Sequence, residues 1–308
     1  MDSLTQIVLG AAVGEVVLGK KVGNRAMLYG AIAGTIPDLD VLTRFFMDTV
    51  TATEWHRGFS HSIFFSVLFA PVFGWLVWRL NSKEDASWKD WSWLMFWGLF
   101  THPILDAFTT WGTQLFWPLK IRLAFQSVFV IDPLYTVPFI IFLILALFQN
   151  RTALERKRYV KLGLIISSSY LLLTLVLKGI AFGKFEMANI ETEDAYLMGN
   201  YSFFDSKPIV FKSYPKNREL LGSLKSKDKI KRLIQITEGW YTISEKKGQL
   251  YFNDLRFGLI SMDETDTQFA FSYKILPNGK DIIVEEMPKF KRDAKRLMAS
   301  LWQRIGGN

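Results

Sequence analysis

Long apolar segments limit what this 308-residue chain can fold into. Four of them are nearly free of charged residues, near 62–80, 91–117, 133–149 and 160–181. A helix of about 20 apolar residues matches the hydrocarbon core of a bilayer and satisfies its own backbone hydrogen bonds there. The sequence therefore predicts an integral membrane protein whose spans are α-helices.

Two shorter apolar segments, Leu4–Leu18 and Ala26–Pro37, precede these four. The first is short for a straight span, so we expect it to be a short, tilted or re-entrant helix. No basic residue stands before it, which argues against a cleaved signal peptide. About five to six apolar helices are therefore predicted in a polytopic membrane domain over residues 1–183.

The pattern changes after residue 183, where short runs of β-type residues alternate with turn residues. These runs include Gly239–Ile243, Gln249–Phe252 and Gln268–Tyr273. Asn278 followed by glycine is typical of a hairpin turn, and Lys291–Ile305 is predicted to be a closing amphipathic helix. The predicted fold is thus an α-helical integral membrane domain followed by a small, soluble α+β extramembrane domain over residues 184–308.

Basic residues in the loops predict the orientation, because cytoplasmic loops carry the excess of lysine and arginine. If all six segments cross, eleven basic residues fall on one side and five on the other. The eleven are Lys20, Lys21, Arg25, Arg79, Lys83, Lys89, Arg151, Arg156, Lys157, Arg158 and Lys161. The five are Arg44, Arg57, Lys120, Arg122 and Lys178. We therefore expect a multi-pass protein of the inner (cytoplasmic) membrane, with the C-terminal domain outside.

Histidine occurs only three times, and each copy borders an apolar segment. His56 and His61 are close in sequence, and His102 stands four residues before Asp106. Side chains four residues apart share one face of a helix, and Pro103 between them predicts a kink. Ionisable groups near a bilayer are costly unless they have partners, so we expect these groups to meet.

Two further carboxylates follow the proline that closes the second apolar segment. In an extended chain Asp38 and Asp40 would point the same way, since side chains alternate with period two. His56 and His61 would diverge on a regular helix, but Gly58 predicts a loop between them. Ser60 is then the expected N-cap of a helix that begins near His61.

A metal site is the chemistry that these residue types favour, on the outer face of the membrane. The candidate ligands are Asp38, Asp40, His56, His61, His102 and Asp106. Imidazole together with carboxylate suits zinc, with manganese or iron as alternatives, and the set has room for one or two ions. The absence of cysteine excludes thiolate sites and thiol catalysis. Such an ion activates water and polarises a carbonyl or phosphoryl oxygen.

The prediction is a membrane-bound metal-dependent hydrolase. Arg57 is a candidate anchor for an anionic substrate group, and Glu15 is a candidate proton acceptor or supporting residue. The expected partners are the lipid bilayer and a lipid-like or phosphoester substrate. No nucleotide-binding loop is present, and no nucleic-acid partner is expected.

Each feature also has a structural interpretation. His56 and His61 can be polar residues at the membrane interface. His102 and Asp106 can be a buried hydrogen-bonded pair, and Asp38 and Asp40 can form a turn that ends a helix. Arg57 can extend to the headgroup level, and Glu15 can make a structural hydrogen bond. Two other functions therefore stay open, a non-enzymatic metal-binding or transport protein and a membrane scaffold or regulator.

Four elements, in this order among apolar helices, resemble the YdjM-like family of membrane-bound metal-dependent hydrolases. They are Met1–Gln6, Pro37–Asp40, His56–Ser62 and His102–Asp106, and the resemblance covers roughly residues 1–180. It implies an integral membrane protein with the six candidate ligands as the matched polar positions. Many members carry histidine where this chain has Gln6, a poor transition-metal ligand. A looser likeness to zinc-dependent phospholipase C and nuclease sites, also built from His-x-x-x-Asp pairs, favours phosphoester substrates by analogy.

Overall fold

The structure is a computed structural model that describes residues 1–185, 190–199, 201–259, 269–279, 281–287 and 306–307. The chain divides into two compact units. The first comprises Met1–Phe46 and Glu54–Lys178, and the second comprises Met47–Thr53 and Gly179–Asn308. A short segment from the N-terminal half thus belongs to the second unit, which the apolar pattern did not predict.

Helices make up most of the N-terminal half. The α-helices are α1 (Ser3–Val22), α2 (Asn24–Thr35), α3 (Thr49–Trp55), α4 (Ile63–Leu80), α5 (Trp88–Asp106), α6 (Pro133–Leu147) and α7 (Leu154–Phe185). Two 3-10 helices, Pro37–Phe45 and Phe59–His61, lie between α2 and α4. The backbone from 107 to 132 is irregular, with one β-bridge between Thr113 and Leu123.

Three of the described helices are long and apolar enough to cross a membrane: α1, α4 and the Leu154–Ala181 part of α7. α6 is apolar but shorter. α1 reaches span length because its helix takes in polar residues at both ends, so the first helix is longer than its apolar run predicted. α5 ends at Asp106 instead of continuing to residue 117.

Polar side chains cap the N-termini of two apolar helices. Asp132 accepts hydrogen bonds from the first backbone amides of α6, as its position before a proline suggests. The N-cap of α4 is Ser62, which accepts from the Phe65 amide. The prediction that Ser60 is this N-cap was wrong, because the Ser60 hydroxyl donates to Asp40 instead.

Glycines allow α1 and α2 to pack backbone against backbone. Gly10 and Gly14 on α1 face Gly30 and Gly34 on α2, which is the small-x-x-x-small spacing that permits close approach of helices. A Cβ atom on Gly30 would collide with the carbonyl oxygen of Gly10 and the Cα of Gly14. This packing places the end of α2, which the 3-10 helix directly follows, beside α1.

The second unit contains two antiparallel sheets. One is formed by β1 (Ile190–Glu191), β2 (Ala195–Gly199) and β3 (Phe211–Pro215), and the other by β4 (Tyr241–Lys246), β5 (Gln249–Leu259), β6 (Phe269–Asn278) and β7 (Asp281–Glu286). Between them come a 3-10 segment, Arg218–Ser226, and α8, Asp228–Ile236. The predicted strands and the turn at Asn278 are confirmed. The helix predicted over Lys291–Ile305 lies outside the described residues.

The core of the second unit includes a residue from the short N-terminal segment. Val50 is fully buried together with Leu233, Ile243 and Phe252. In the same unit Arg232 donates a hydrogen bond to Thr51. The segment 47–53 is therefore part of the packing of this unit, although it lies between Asp40 and His56 in the sequence.

The close packing of α1 on α2 predicts that a glycine-to-alanine change destabilises the protein at this contact but not at an open helical position. Gly30→Ala should lower the free energy of unfolding by about 1–3 kcal/mol, because the added methyl group forces two backbones apart. Gly179→Ala should be neutral or slightly stabilising, because a Cβ there meets no atom within 4 Å and alanine favours a helix. Thermal unfolding of both variants in detergent, followed by tryptophan fluorescence, measures the difference. Equal effects would contradict the close packing.

Candidate metal centre

Four side chains from three parts of the first unit converge on one point. They are Asp38 of the first 3-10 helix, His61 at the end of the second, and His102 and Asp106 of α5. One ligand atom from each lies within 4.8 Å of all the others. His61, His102 and Asp106 are fully buried, whereas the side chain of Asp38 is 23% exposed. The open edge of the group is therefore at Asp38.

The distances between the ligand atoms suit a tetrahedral ion. The two Nε2 atoms of His61 and His102 are 3.0 Å apart. Oδ1 of Asp38 lies 3.5 and 3.4 Å from them, and Oδ2 of Asp106 lies 3.5 and 3.7 Å from them. Four ligands at zinc–nitrogen and zinc–oxygen bond lengths would lie about 3.3–3.4 Å from one another. The group can therefore hold a metal ion without a large movement.

His102 is oriented by the backbone of α2. Its Nδ1 is 2.6 Å from the carbonyl oxygen of Gly34. A carbonyl oxygen can only accept a hydrogen bond, so Nδ1 carries the proton. In the neutral ring the Nε2 lone pair then points towards His61 and the carboxylates.

A serine and a carboxylate orient His61 in the same way. Ser60 donates its hydroxyl proton to Oδ2 of Asp40 at 3.1 Å, so its oxygen is free to accept from Nδ1 of His61 at 3.0 Å. Oδ2 of Asp40 is also 3.3 Å from that Nδ1. Carboxylates commonly hold the outer nitrogen of metal-binding histidines in this way.

Two imidazole lone pairs and two carboxylate oxygens thus face one another in a buried space. Electron pairs at these distances repel unless a proton or a cation lies between them. Burial lowers the pKa of His61, but its hydrogen bonds to Asp106, Asp38 and Asp40 outweigh that effect and raise the pKa to about 10. The group therefore favours a positive charge at its centre, which a divalent ion would supply.

Asp38 and Asp40 do not point the same way, so the extended geometry expected for them was wrong. Pro37–Phe45 is a 3-10 helix, in which residues two apart are separated by about 120°. Asp38 consequently faces the Nε2 side of His61, and Asp40 faces its Nδ1 side. Burial raises the pKa of each carboxyl, but hydrogen bonds to the neighbouring imidazoles bring it well below its usual range.

His56 lies beside the four-residue group but is not part of it. Its Nδ1 is 2.9 Å from Oδ1 of Asp40, and its ring centroid is 6.2 Å from that of His61. Burial lowers the pKa of His56 more than its bond to Asp40 raises it, so the ring favours the neutral form. The structure therefore places Asp40 and His56 as a hydrogen-bonded pair next to the candidate ligands.

Arg57 is buried against the group instead of extending to the headgroup level. Its Nε lies 2.9 Å from Oδ2 of Asp106, and Nη1 donates to Thr109 at 2.8 Å. Its backbone amide donates to Asp40 at 2.8 Å, and its φ of 59° lies in the left-handed region that non-glycine residues rarely adopt. The loop is thus held in a strained conformation by contacts with the site.

Asp106 has further partners on the side away from the histidines. Gln6 donates from Nε2 to Oδ1 of Asp106 at 2.9 Å, and the amino group of Met1 also contacts this oxygen. Gln6 is fully buried. In this chain residue 6 therefore holds a candidate ligand by a hydrogen bond, a role that an amide performs well.

Glu15 lies away from the group. It forms a two-point ion pair with Arg156, with nitrogen–oxygen distances of 2.7 and 2.5 Å. It is nine residues beyond Gln6, or about 14 Å along the axis of α1. This placement favours the structural interpretation of Glu15, and its catalytic role stays a prediction without a contact to support it.

Two supporting groups were not identified from the sequence. The first is the carbonyl oxygen of Gly34, which no side-chain pattern reveals. The second is Arg122, whose Nη2 donates to the carbonyl oxygens of Glu54 and His56 at 3.0 Å and so holds the histidine loop. The sequence did indicate that Arg122 has partners, because a charged residue in an apolar region needs them.

Comparison with known proteins identifies one family. The family described as YdjM inner membrane protein matches residues 1–181, which contain all the residues of the candidate metal centre. No curated protein and no solved structure matches the chain. The match spans more than half of the 308 residues. The chain belongs to the YdjM inner membrane protein family.

Proposed function

We propose that this protein is a metal-dependent hydrolase of the membrane surface that acts on a lipid-associated phosphoester. One observation carries the proposal: two imidazole Nε2 atoms and two carboxylate oxygens converge while both imidazoles are held at Nδ1. A site whose ligands are oriented in advance suits a resident ion, because little reorganisation is needed to bind it.

Asp38, His61, His102 and Asp106 would hold the ion, and their nitrogen and oxygen atoms fit zinc best, with manganese or iron as alternatives. When bound, such an ion supplies Lewis acidity and lowers the pKa of water. Among these four side chains, only that of Asp38 is partly exposed to solvent. Substrate and water would therefore approach along Asp38.

We assign proton transfer to His56. Asp40 accepts from Nδ1 of His56, which leaves Nε2 as the nitrogen that can accept a proton. A neutral histidine held by a carboxylate is a common general base, and this pair stands next to the metal ligands. The assignment replaces the sequence-based prediction that His56 and Asp40 bind metal directly.

Arg57 makes the site suitable for an anionic substrate. The side chains of Asp38, Asp40 and Asp106 contribute three negative charges, and Arg57 contributes one positive charge. A divalent ion would bring the sum over these four side chains to zero, which would reduce the repulsion of an entering phosphoester. By its contact with Asp106, Arg57 also positions one ligand.

The opposite end of the helices supports an orientation in the membrane. Lys21 pairs with Asp90, and Arg151 donates to the carbonyl oxygen of Lys21, so basic residues collect where α1 ends and α5 begins. His102 and Asp106 stand at the other end of α5. The excess of basic residues suits the cytoplasm, and we therefore propose that the metal centre is on the outer side.

Alanine substitution of each of the three histidines tests the ligand assignment. Purified wild-type protein should contain about one zinc ion per chain, as expected for one tetrahedral group. His61→Ala and His102→Ala should lose the ion, because each removes one of four ligands. His56→Ala is the matched control and should keep it. Mass spectrometry of metal content measures all four proteins. Loss of metal in the control, or its retention in the other two, would overturn the assignment.

The same His56→Ala protein tests catalysis separately from metal binding. Hydrolysis of a chromogenic phosphodiester and of phospholipid in vesicles should fall about 10²–10⁴-fold, because the general base is missing. Measured rates are compared at equal metal content with those of Ser82→Ala, a change in an exposed loop. Unchanged hydrolysis by His56→Ala would show that His56 only supports Asp40. The absence of hydrolysis by metal-loaded wild type would argue against the enzyme.

A further inference from the structure

The 3-10 helix that carries Asp38 has an exposed apolar stripe. With three residues per turn, every third side chain lies on one line. Leu39, Leu42 and Phe45 form such a line and are 56%, 48% and 79% exposed. Phe46, directly after the helix, is also largely exposed. The helix thus has two carboxylates turned to the histidines and an apolar edge turned outward.

A second segment beside the candidate metal centre also exposes large apolar side chains. Phe116, Leu119 and Ile121 follow α5 in irregular backbone, and more than half of each side chain is exposed. This segment is joined to the histidine loop, because the Gln114 amide donates to the carbonyl oxygen of Arg57. Two segments of the first unit, one a 3-10 helix and one irregular, therefore expose large apolar side chains near the candidate ligands.

Apolar side chains are also exposed on a candidate membrane span at the level of the candidate metal centre. Leu4 and Ile7 are exposed on α1, at the same end as Gln6, which contacts Asp106. α1 is one of the helices able to cross the bilayer. Lipid that surrounds this end of α1 would therefore reach the level of the metal centre.

We infer that the 3-10 helix Pro37–Phe45 lies in the interface of the bilayer, with Leu39, Leu42 and Phe45 among the lipid chains. A contiguous group of large apolar side chains is unfavourable in water and marks a contact surface. An amphipathic helix in the headgroup region places its apolar side at the boundary of the acyl chains and keeps its polar side in a polar environment. The 3-10 helix directly follows α2, and α2 packs along α1, which is able to cross the bilayer, so the occupant of this surface is lipid.

This inference deepens the proposed function, on which its second part rests. The exposed metal ligand, Asp38, is on the same helix as the apolar stripe, so the open edge of the metal centre would face the headgroup layer. A substrate could then present its phosphoester to the ion while its hydrocarbon part stays in the bilayer. The expected substrate class is a membrane-embedded amphiphile with an anionic phosphate headgroup.

Spin labels give a direct test, because the chain contains no cysteine and single-cysteine variants are therefore specific. Leu42→Cys and Phe45→Cys, labelled in full-length protein, are placed in vesicles of phosphatidylcholine with phosphatidylglycerol. Ser82→Cys in the polar loop after α4 serves as the water-exposed control, and Val67→Cys on the exposed side of α4 as the lipid control. Thermal unfolding followed by tryptophan fluorescence checks that each variant is folded, and Phe46→Cys replaces any that is not.

Collision rates with oxygen and with a water-soluble nickel complex report the location of each label. Labels at 42 and 45 should show an oxygen-to-nickel ratio close to that at 67 and several times that at 82, as apolar depth requires. A ratio equal to that at 82 would place the stripe in water, and low rates with both reagents would place it against protein. Either result overturns the inference, whether or not the protein is a hydrolase.

A charged substitution tests the substrate class. Phe45→Glu should reduce hydrolysis of vesicle phospholipid roughly tenfold, because a charge disrupts interfacial binding. Hydrolysis of a soluble phosphodiester should stay unchanged, since Phe45 contributes no candidate ligand. Equal loss on both substrates, or on neither, contradicts the inferred route. Inactivity of wild type on both substrates would count against the proposed function instead, and the spin-label result would still decide the position of the helix.

Discussion

Hydrogen bonds to the outer nitrogens of two histidines are the constraint on which the candidate metal centre depends. Gly34 holds His102 through its carbonyl oxygen, and Ser60 with Asp40 holds His61. Each Nδ1 donates its proton to one of these oxygens, so in the neutral rings both Nε2 atoms present lone pairs to the same space. Without these bonds each ring could turn away, and the two carboxylates would face one another unscreened.

The 3-10 helix after α2 links the membrane domain to the site. Its tight turn separates Asp38 from Asp40, so that one faces the ligand nitrogen of His61 and the other faces the orienting nitrogen. It begins where α2 ends, and α2 is fixed against α1 by the contact of Gly10 with Gly30. Packing between two helices near the start of the chain thereby determines where a candidate ligand lies.

Much of this arrangement can be predicted from the sequence, and the rest depends on tertiary contacts. The apolar segments identify the membrane domain, and the four-residue spacing of His102 and Asp106 places both on one face of α5. The difference between Asp38 and Asp40 could not be predicted, because it depends on 3-10 instead of extended backbone. The role of Gly34 involves a carbonyl oxygen, which every residue has. The packing of Val50 in the second unit depends on strands more than a hundred residues later.

X-ray absorption at the zinc edge, on detergent-purified protein loaded with about one zinc ion per chain, tests the central claim most directly. Two imidazoles should give their characteristic multiple scattering, and all ligands should be nitrogen or oxygen at about 2.0–2.1 Å. The same spectrum from His56→Ala would establish that His61 and His102 bind one ion together with oxygen ligands. A spectrum with one imidazole or none, or a protein that binds no stoichiometric zinc, would contradict the account of the metal centre.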